Sequence, residues 1–268
     1  MNKRIARVFP RRTKATPTDG LAFIGYPGMF PPEVDEVHVS CTFTWDLRLA
    51  EELALAWDRI APTKLGGPAT GARGDEFIPG MYLREGYTIT SRGCPNNCWF
   101  CYVPKREGML RELPIKPGYN VLDDNLLACS EKHFQGVCAM LAEYPEPAEF
   151  TGGLEAARLT TAHVEALARL RLRQIFFAYD DGEDWEPLVV AARMMDEAGL
   201  LRGHRVRCYV LIGYPGDTMD AAEKRLGDVV ALGIMPMAML WRDDSGKVER
   251  IWRQFQRTWA NPVILGSR

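Results

Sequence analysis

Three cysteines lie close together in the chain, and their type and spacing suit them to bind a metal. Cys94, Cys98 and Cys101 fall within eight residues in a CxxxCxxC arrangement, so three thiolates can reach one metal centre. A [4Fe–4S] cluster normally takes four cysteine ligands. With three cysteines nearby, one iron would keep an open coordination position for a substrate or cofactor.

Zinc is the rival metal for this motif. A structural zinc site needs four ligands, usually in two paired half-sites, and the next candidates, Cys129 and His133, belong to no second CxxC or HxxxH pair. The spacing therefore favours an iron–sulfur cluster. The total of seven cysteines is odd and no export signal is recognised, which argues against a disulfide framework.

The motif, with Phe100 just before its last cysteine, resembles that of the radical S-adenosylmethionine (radical SAM) superfamily. The resemblance covers about residues 86–240. It implies a [4Fe–4S] cluster on Cys94, Cys98 and Cys101, whose unique iron is chelated by S-adenosylmethionine, with Phe100 beside the cofactor. It also implies that one-electron reduction cleaves this cofactor to methionine and a 5′-deoxyadenosyl radical, which abstracts hydrogen from the substrate.

The resemblance implies an acidic or Gly-rich element that receives the amino group of the cofactor, and two segments qualify. The segment Asp123-Asp124-Asn125 follows the second predicted strand and offers acceptor oxygens. The segment Gly152-Gly153-Leu154-Glu155 is closer in wording to the family's Gly-Gly-Glu element but follows the third strand. Both remain candidates, and Asp124 could equally be a helix N-cap.

Four further residues are candidates at later strand ends. Asp180 could accept hydrogen bonds from ribose hydroxyls, or be a local cap. Ile212 and Gly213 resemble the segment that flanks adenine in the family, and the following Asp217 is expected to cap a helix. Cys208 could donate a hydrogen atom to a substrate radical, against the alternative of simple burial.

Alternating strands and helices must position these residues. The predicted strands are Tyr87–Thr90, Asn120–Leu122, Glu149–Thr151, Gln174–Tyr179, Arg205–Ile212 and Ile234–Leu240. Helices are predicted from Asp124 to about Ala142, after Thr160, from Asp184 to Gly199, from Asp217 to Gly233, and over Val248–Ala260. Such alternation predicts an α/β fold with a parallel sheet. Periodicity leaves open a curled or flat sheet, and the resemblance implies a partial (β/α)6 barrel with a C-terminal helix.

The first part of the chain forms a separate segment. Residues 1–85 are expected to hold a short β-α-β extension, and residues 86–268 the partial barrel and its C-terminal helix. The wording of Thr90–Cys94 and of Tyr209–Asp217 resembles most closely the family branch that carries an upstream cobalamin-binding domain, and Gly66-Gly67-Pro68 resembles the end of such a domain. The cobalamin signature Asp-x-His-x-x-Gly is missing, so this extension is interpreted as a trimmed relic and no cobalamin is expected.

Composition limits the classes of function. The 268 residues carry a net charge of −2, with 47% hydrophobic residues, which are ordinary values for a globular enzyme. This charge gives no general attraction to nucleic acid or anionic membrane, no apolar run reaches the length of a membrane span, and a cytoplasmic location is expected.

The sequence therefore predicts a radical SAM enzyme, an oxidoreductase or transferase whose substrate is unidentified. A flavodoxin- or ferredoxin-type electron donor is implied, and a small-molecule or nucleotide substrate is preferred over a macromolecule. Two alternatives stay open: a non-catalytic iron–sulfur or zinc protein used for sensing or scaffolding, and a cobalamin-assisted methyltransferase.

Overall fold

The computed structural model describes residues 3–260 and forms two compact units, Met1–Gly118 and Tyr119–Arg268. The first unit extends well past residue 85 because the segment after it is bonded back to Gly74. The carboxylate of Glu107 accepts a hydrogen bond from Gly74 N at 3.2 Å, and Arg111 Nη2 donates to Gly74 O at 2.5 Å. In the described part of the chain no helix is both long and apolar enough to cross a membrane.

The first unit contains a sheet of four parallel strands in the order β2-β1-β3-β4. Its elements are β1 (Ile5–Phe9), β2 (Ala22–Ile24), β3 (Glu36–Ser40), α1 (Leu47–Trp57), β4 (Thr63–Gly66), β5 (Tyr87–Thr88), β6 (Ser91–Arg92), α2 (Val103–Arg106) and β7 (Arg111–Glu112). The β3-α1-β4 segment corresponds to the expected β-α-β unit, and β6 and β7 pair antiparallel outside this sheet.

Strand β1 lies inside the first unit's sheet, although the opening of the chain is strongly basic. Ala6 and Val8 of β1 are fully buried and share an apolar cluster with Trp57 of α1. Arg7 is also buried, because its guanidinium donates to Gly80 O at 3.0 Å and to the carboxylate of Asp19. A basic residue can lie in this buried strand because tertiary contacts supply the partners that a buried arginine needs.

The second unit is an α/β layer whose five strands are all parallel. Its elements are β8 (Asn120–Val121), α3 (Glu131–Glu143), β9 (Ala148–Phe150), α4 (Thr161–Ala168), β10 (Leu172–Ala178), α5 (Trp185–Glu197), β11 (Val206–Ile212), α6 (Met219–Ala231), β12 (Met235–Leu240) and α7 (Arg250–Trp259). The order β8-β9-β10-β11-β12 follows the chain and contains no reversal of the kind found in doubly wound sheets.

The two faces of the second unit's sheet differ in character. Because paired residues of parallel strands point to the same face, Phe177 and Cys208 share one face, where both are fully buried. On the other face lie Gln174 and Tyr209, which are half-buried, and Met237, which is 41% exposed. The first face forms the core, and the second face carries polar side chains.

The helix expected over residues 124–142 is interrupted. A 3-10 helix, Leu126–Ala128, comes first, and α3 begins only at Glu131. Cys129 and Ser130 between them have extended backbone, and Ser130 Oγ accepts a hydrogen bond from His133 N at 3.2 Å. The predicted single helix is therefore two helices. Ser130 caps the second one by accepting from a backbone N–H of its first turn.

The expectation that Asp217 caps α6 is wrong. The N-cap is Thr218, whose side chain accepts from Ala221 N at 3.2 Å. Asp217 instead accepts from Gly213 N at 2.8 Å and from Arg225 Nη2 at 2.9 Å. Its carboxylate therefore ties the turn after β11 to the body of α6.

Candidate functional site

The cysteine motif lies in a loop whose two ends are joined by the β6–β7 pair. Cys94, Cys98 and Cys101 form no disulfide; Cys98 is exposed and the other two are half-buried. Three thiols held in one short loop are suited to bind a metal centre. The sequence motif thus maps onto a single structural element.

Backbone hydrogen bonds give this loop a defined shape. Cys94 N donates to Gly108 O at 3.2 Å, and Cys101 N donates to Cys98 O at 3.0 Å. Asn96 N lies 3.4 Å from Cys94 Sγ and donates to it. Hydrogen bonds to ligating sulfurs are one of the means by which proteins tune iron–sulfur centres.

A buried carboxylate organises the arginines around the loop. The Glu107 side chain is 1% exposed and its oxygens lie 2.8 Å from Arg111 Nη2, 2.9 Å from Arg106 Nε and 3.5 Å from Arg92 Nη1. Burial alone would raise the pKa of Glu107, but these cations and the N–H of Gly74 outweigh it and lower the pKa. Three arginines around one carboxylate leave net positive charge, which suits an anionic centre.

Aromatic residues flank the last cysteine of the motif in the sequence. Phe100 meets Trp99 edge to face with ring centroids 5.4 Å apart. Trp99 is 58% exposed and Tyr102 is 44% exposed, and Lys105 Nζ lies 5.7 Å from the Tyr102 ring centroid. The loop therefore carries exposed aromatic surface next to its cysteines in the sequence.

In the second unit, the two segments between which the sequence could not decide lie against each other. Asn125 Nδ2 donates to Glu155 Oε2 at 2.6 Å, and Gly152 N donates to Val121 O at 3.1 Å. A Cβ atom at Gly152 would lie 2.8 Å from the carbonyl carbon of Leu122. Gly152 thus allows the ends of β8 and β9 to approach, and the two alternatives become parts of one strand-end site.

Acceptor oxygens and open space characterise this strand-end site. Glu155 also accepts from Arg158 Nε at 2.6 Å, and its side chain is 23% exposed. Gly153 has φ +94°, and a Cβ there would meet no atom within 4 Å. Asp124 is half-buried and caps neither helix, since the N-caps are Asn125 and Ser130. The site therefore offers a carboxylate and a glycine backbone toward an open region.

A largely buried polar network on the second face of the sheet was not predicted from the sequence. Glu149 Oε2 accepts from Asn120 Nδ2 at 3.1 Å and from Gln174 Nε2 at 2.9 Å. Thr151 Oγ1 donates to Asn120 Oδ1 at 2.6 Å, and Tyr209 OH donates to Thr151 O at 3.1 Å. The alternation of polar residues with core residues along β9 and β10 was the available signal.

Asp180 occupies the end of β10 but is bonded to its own fold. Its Oδ1 accepts from Leu211 N at 3.0 Å, and its backbone N donates to Asp184 Oδ2 at 2.8 Å. Burial raises the pKa of Asp180 to about 7, and the nearby charge of Asp184 adds to the rise.

The raised pKa of Asp180 predicts that the free energy of unfolding depends on pH. Between pH 4 and 7 the folded chain holds a proton that the unfolded chain has lost, so stability falls as pH rises through this window. We compare the unfolding free energy of Asp180→Asn with that of wild type at each pH. The difference should favour the variant by on the order of 2 kcal/mol more at pH 8 than at pH 5. Urea unfolding of wild type and variant at both values measures the gain.

Asp181→Asn provides the matched control, because Asp181 is exposed and Asn can replace its cap on Glu183 N. The control should gain much less between the two pH values. An equal gain in both variants, or none in Asp180→Asn, would contradict the assignment of a costly buried charge.

The remaining predicted residues lie on or near the packed side of β11. Cys208 and Ile212 are fully buried, and burial raises the pKa of the Cys208 thiol well above its ordinary value. Gly213 has φ +71°, and a Cβ there would lie 3.0 Å from the Trp252 ring. In this structure these positions pack against core and α7 residues rather than facing the polar network.

A second group of ligand-type side chains appears where the sequence suggested none. One ligand atom each of Asp123, Cys129 and His133 lies within 4.8 Å of the others. The signal available in the sequence was the four-residue spacing of Cys129 and His133, which is typical of two side chains that lie on the same side of a helical segment.

The chain matches no protein-family model, and no curated protein shows significant similarity to it.

Proposed function

We propose that the chain is a radical SAM enzyme built on a partial (β/α)6 barrel, in which Cys94, Cys98 and Cys101 hold a [4Fe–4S] cluster. The observation that carries the proposal is that the three CxxxCxxC cysteines form no disulfide and lie in one loop that backbone hydrogen bonds shape. The strand order, which advances in one direction without reversal, supports barrel-like winding. The cluster, when bound, supplies the electron that cleaves S-adenosylmethionine and so starts hydrogen abstraction.

The residues around the loop fit such a group. Asn96 N donates to Cys94 Sγ, and Arg92, Arg106 and Arg111 bring positive charge, which offsets the negative charge of a cluster on three thiolates. The rings of Trp99 and Phe100 would limit solvent access. Three surface thiols that bind no metal would not need these arginines and this hydrogen bond.

Strand-end residues of the second unit are the proposed contacts of S-adenosylmethionine. Glu155 accepts charged donors, as its bond to Arg158 demonstrates, so it can accept from an α-ammonium group. Gly152 and Gly153 expose backbone for close approach, and Asp124 and Asn125 add acceptors. Asp180, with one carboxyl oxygen bonded to Leu211 N, orients its other oxygen for a hydroxyl.

Partners and location follow from the same proposal. A cytoplasmic flavodoxin or ferredoxin would supply the electron. The network of Glu149, Asn120 and Gln174, with the Phe176 and Tyr209 rings stacked at 4.3 Å, supports a small-molecule or nucleotide substrate, because it offers hydrogen-bonding groups beside a stacking surface.

The test is anaerobic reconstitution with iron and sulfide, followed by S-adenosylmethionine and a strong reductant. We expect 5′-deoxyadenosine by mass spectrometry, and at least about a hundredfold less from Cys98→Ala, since loss of a ligand should exceed the effect of losing its supporting contacts. Equilibrium dialysis of S-adenosylmethionine gives a second readout that needs no substrate.

Cys138→Ala is the matched control, because burial raises the pKa of this thiol to about 12 and keeps it inert. It should behave as wild type in both assays. If the reconstituted wild type neither binds nor cleaves S-adenosylmethionine, the proposed enzymatic function is refuted. If the protein also binds zinc in place of a cluster, a non-catalytic scaffold protein is favoured.

A further inference from the structure

Three side chains of different chemistry converge at the start of α3 in the second unit. Asp123 follows β8, Cys129 follows the 3-10 helix Leu126–Ala128, and His133 lies in the first turn of α3. One ligand atom from each lies within 4.8 Å of the other two. From this convergence we propose that Asp123, Cys129 and His133 bind one Zn²⁺ ion, separately from the CxxxCxxC motif.

The donor set selects the metal. A carboxylate oxygen, a thiolate sulfur and an imidazole nitrogen are each common ligands of Zn²⁺, at distances near 2.0–2.3 Å. Ca²⁺ and Mg²⁺ prefer oxygen ligands alone, and an iron–sulfur cluster prefers thiolates. Three protein ligands with one open position is also the pattern of zinc sites that bind water or a substrate atom.

Burial gives the site a closed and an open side. Asp123 is 2% exposed and His133 is 7% exposed, whereas Cys129 is half-buried. The accessible side at Cys129 provides the entry path and the fourth coordination position.

The surrounding backbone holds the donors in place before any metal arrives. Ser130 Oγ caps His133 N at 3.2 Å and fixes the first turn of α3. Cys129 N donates to Leu126 O at 3.1 Å. A Cβ at Gly152 would lie 2.9 Å from Asp123 N, so the backbone at Asp123 is closely packed. Preorganised donors lose little freedom when the ion binds.

This inference does not rest on the proposed iron–sulfur chemistry. It assigns Asp123 to the metal and leaves Asp124, Asn125 and Glu155 as the acceptors proposed for the cofactor.

The test uses the full chain with Cys94, Cys98 and Cys101 replaced by Ala, so that the motif cannot bind metal, and Co²⁺ as a spectroscopic probe for zinc. We expect one Co²⁺ per chain, with a thiolate-to-cobalt charge-transfer band and intense tetrahedral d–d bands. Zn²⁺ should displace it with a dissociation constant below about 1 µM. Circular dichroism checks that each variant is folded.

Adding Cys129→Ser should abolish the charge-transfer band, and adding Asp123→Asn or His133→Gln should weaken Zn²⁺ binding at least about a hundredfold. Adding Cys138→Ser should change neither. Should the triple variant fail to fold, zinc content of the unmutated chain is compared with that of Cys129→Ser, which should hold one ion fewer. No stoichiometric Co²⁺ or Zn²⁺ binding, or a spectrum unaffected by Cys129→Ser, would overturn the site.

Discussion

Replacing Glu107 with Gln is expected to destabilise the cysteine loop by about 3–5 kcal/mol, because it leaves buried positive charge without its counterion. The carboxylate is the shared partner of Arg92, Arg106 and Arg111 and also accepts from Gly74 N. Gln can retain one or two of these hydrogen bonds but none of the charge. The loop should therefore open far more often in the variant.

Trypsin provides a local measurement of this opening, since Lys105 and Arg106 lie within the loop. If cleavage proceeds from the opened loop, a loss of about 3 kcal/mol corresponds to roughly a hundredfold faster cleavage at these sites. Glu76→Gln is the matched control, because Glu76 is 58% exposed and pairs with Lys116 at 3.0 Å. An exposed pair contributes about 0–1 kcal/mol, so equal cleavage rates in the two variants would contradict the role of Glu107.

The same carboxylate predicts a pH dependence of opposite sign to that of Asp180. Because the pKa of Glu107 is lowered in the folded chain, its contribution is complete above the unfolded pKa near 4.5 and is lost as the pH falls below it. The wild-type loop should thus become more open to acid-active proteases below that pH. Glu107→Gln should show little of this acid-induced change.

Gly93→Ala is expected to cost about 3–5 kcal/mol and to prevent cluster assembly. Gly93 has φ +84°, and a Cβ there would lie 2.7 Å from Gly108 O and closer still to Met109 O. Both oxygens belong to the returning arm of the loop, so they can move only if the Cys94 N to Gly108 O bond breaks. Iron per chain after reconstitution and the rate of tryptic cleavage measure the effect.

Gly108→Ala separates steric clash from backbone strain. Gly108 also has a positive φ, +70°, but a Cβ at this position would meet no atom within 4 Å. Its replacement should cost only about 1 kcal/mol and leave most of the iron bound. If the two variants lost iron equally, close packing at Gly93 would not be what shapes the loop.

The cysteine motif and the cluster of Asp123, Cys129 and His133 differ in how far they can be inferred from sequence. The cysteine motif was recognisable because its ligands lie within eight residues, so covalent spacing alone keeps them together. The parallel α/β character was also predictable, since strand and helix periods are local. Even so, the prediction of one continuous helix was wrong at Cys129 and Ser130. There a serine N-cap starts a new helix despite the continuous apolar pattern.

Contacts between residues that are far apart in the chain could not be predicted from local spacing and periodicity. Asn125 and Glu155 are thirty residues apart and meet at 2.6 Å, which joins two alternatives that the sequence kept separate. Arg7 in a buried strand depends on Asp19 and Gly80, and no local pattern indicates them.

By itself, the sequence determined the three clustered thiols, the alternation of strands with helices and the candidate residues at each strand end. Only the tertiary structure decided which of these residues meet: Asp180 with Leu211 N, Asn125 with Glu155, and Asp123 with Cys129 and His133. The physical reason is that covalent spacing fixes distances over a few residues. Contacts between segments depend instead on strand order, on glycines such as Gly152 that allow close approach, and on where each helix begins.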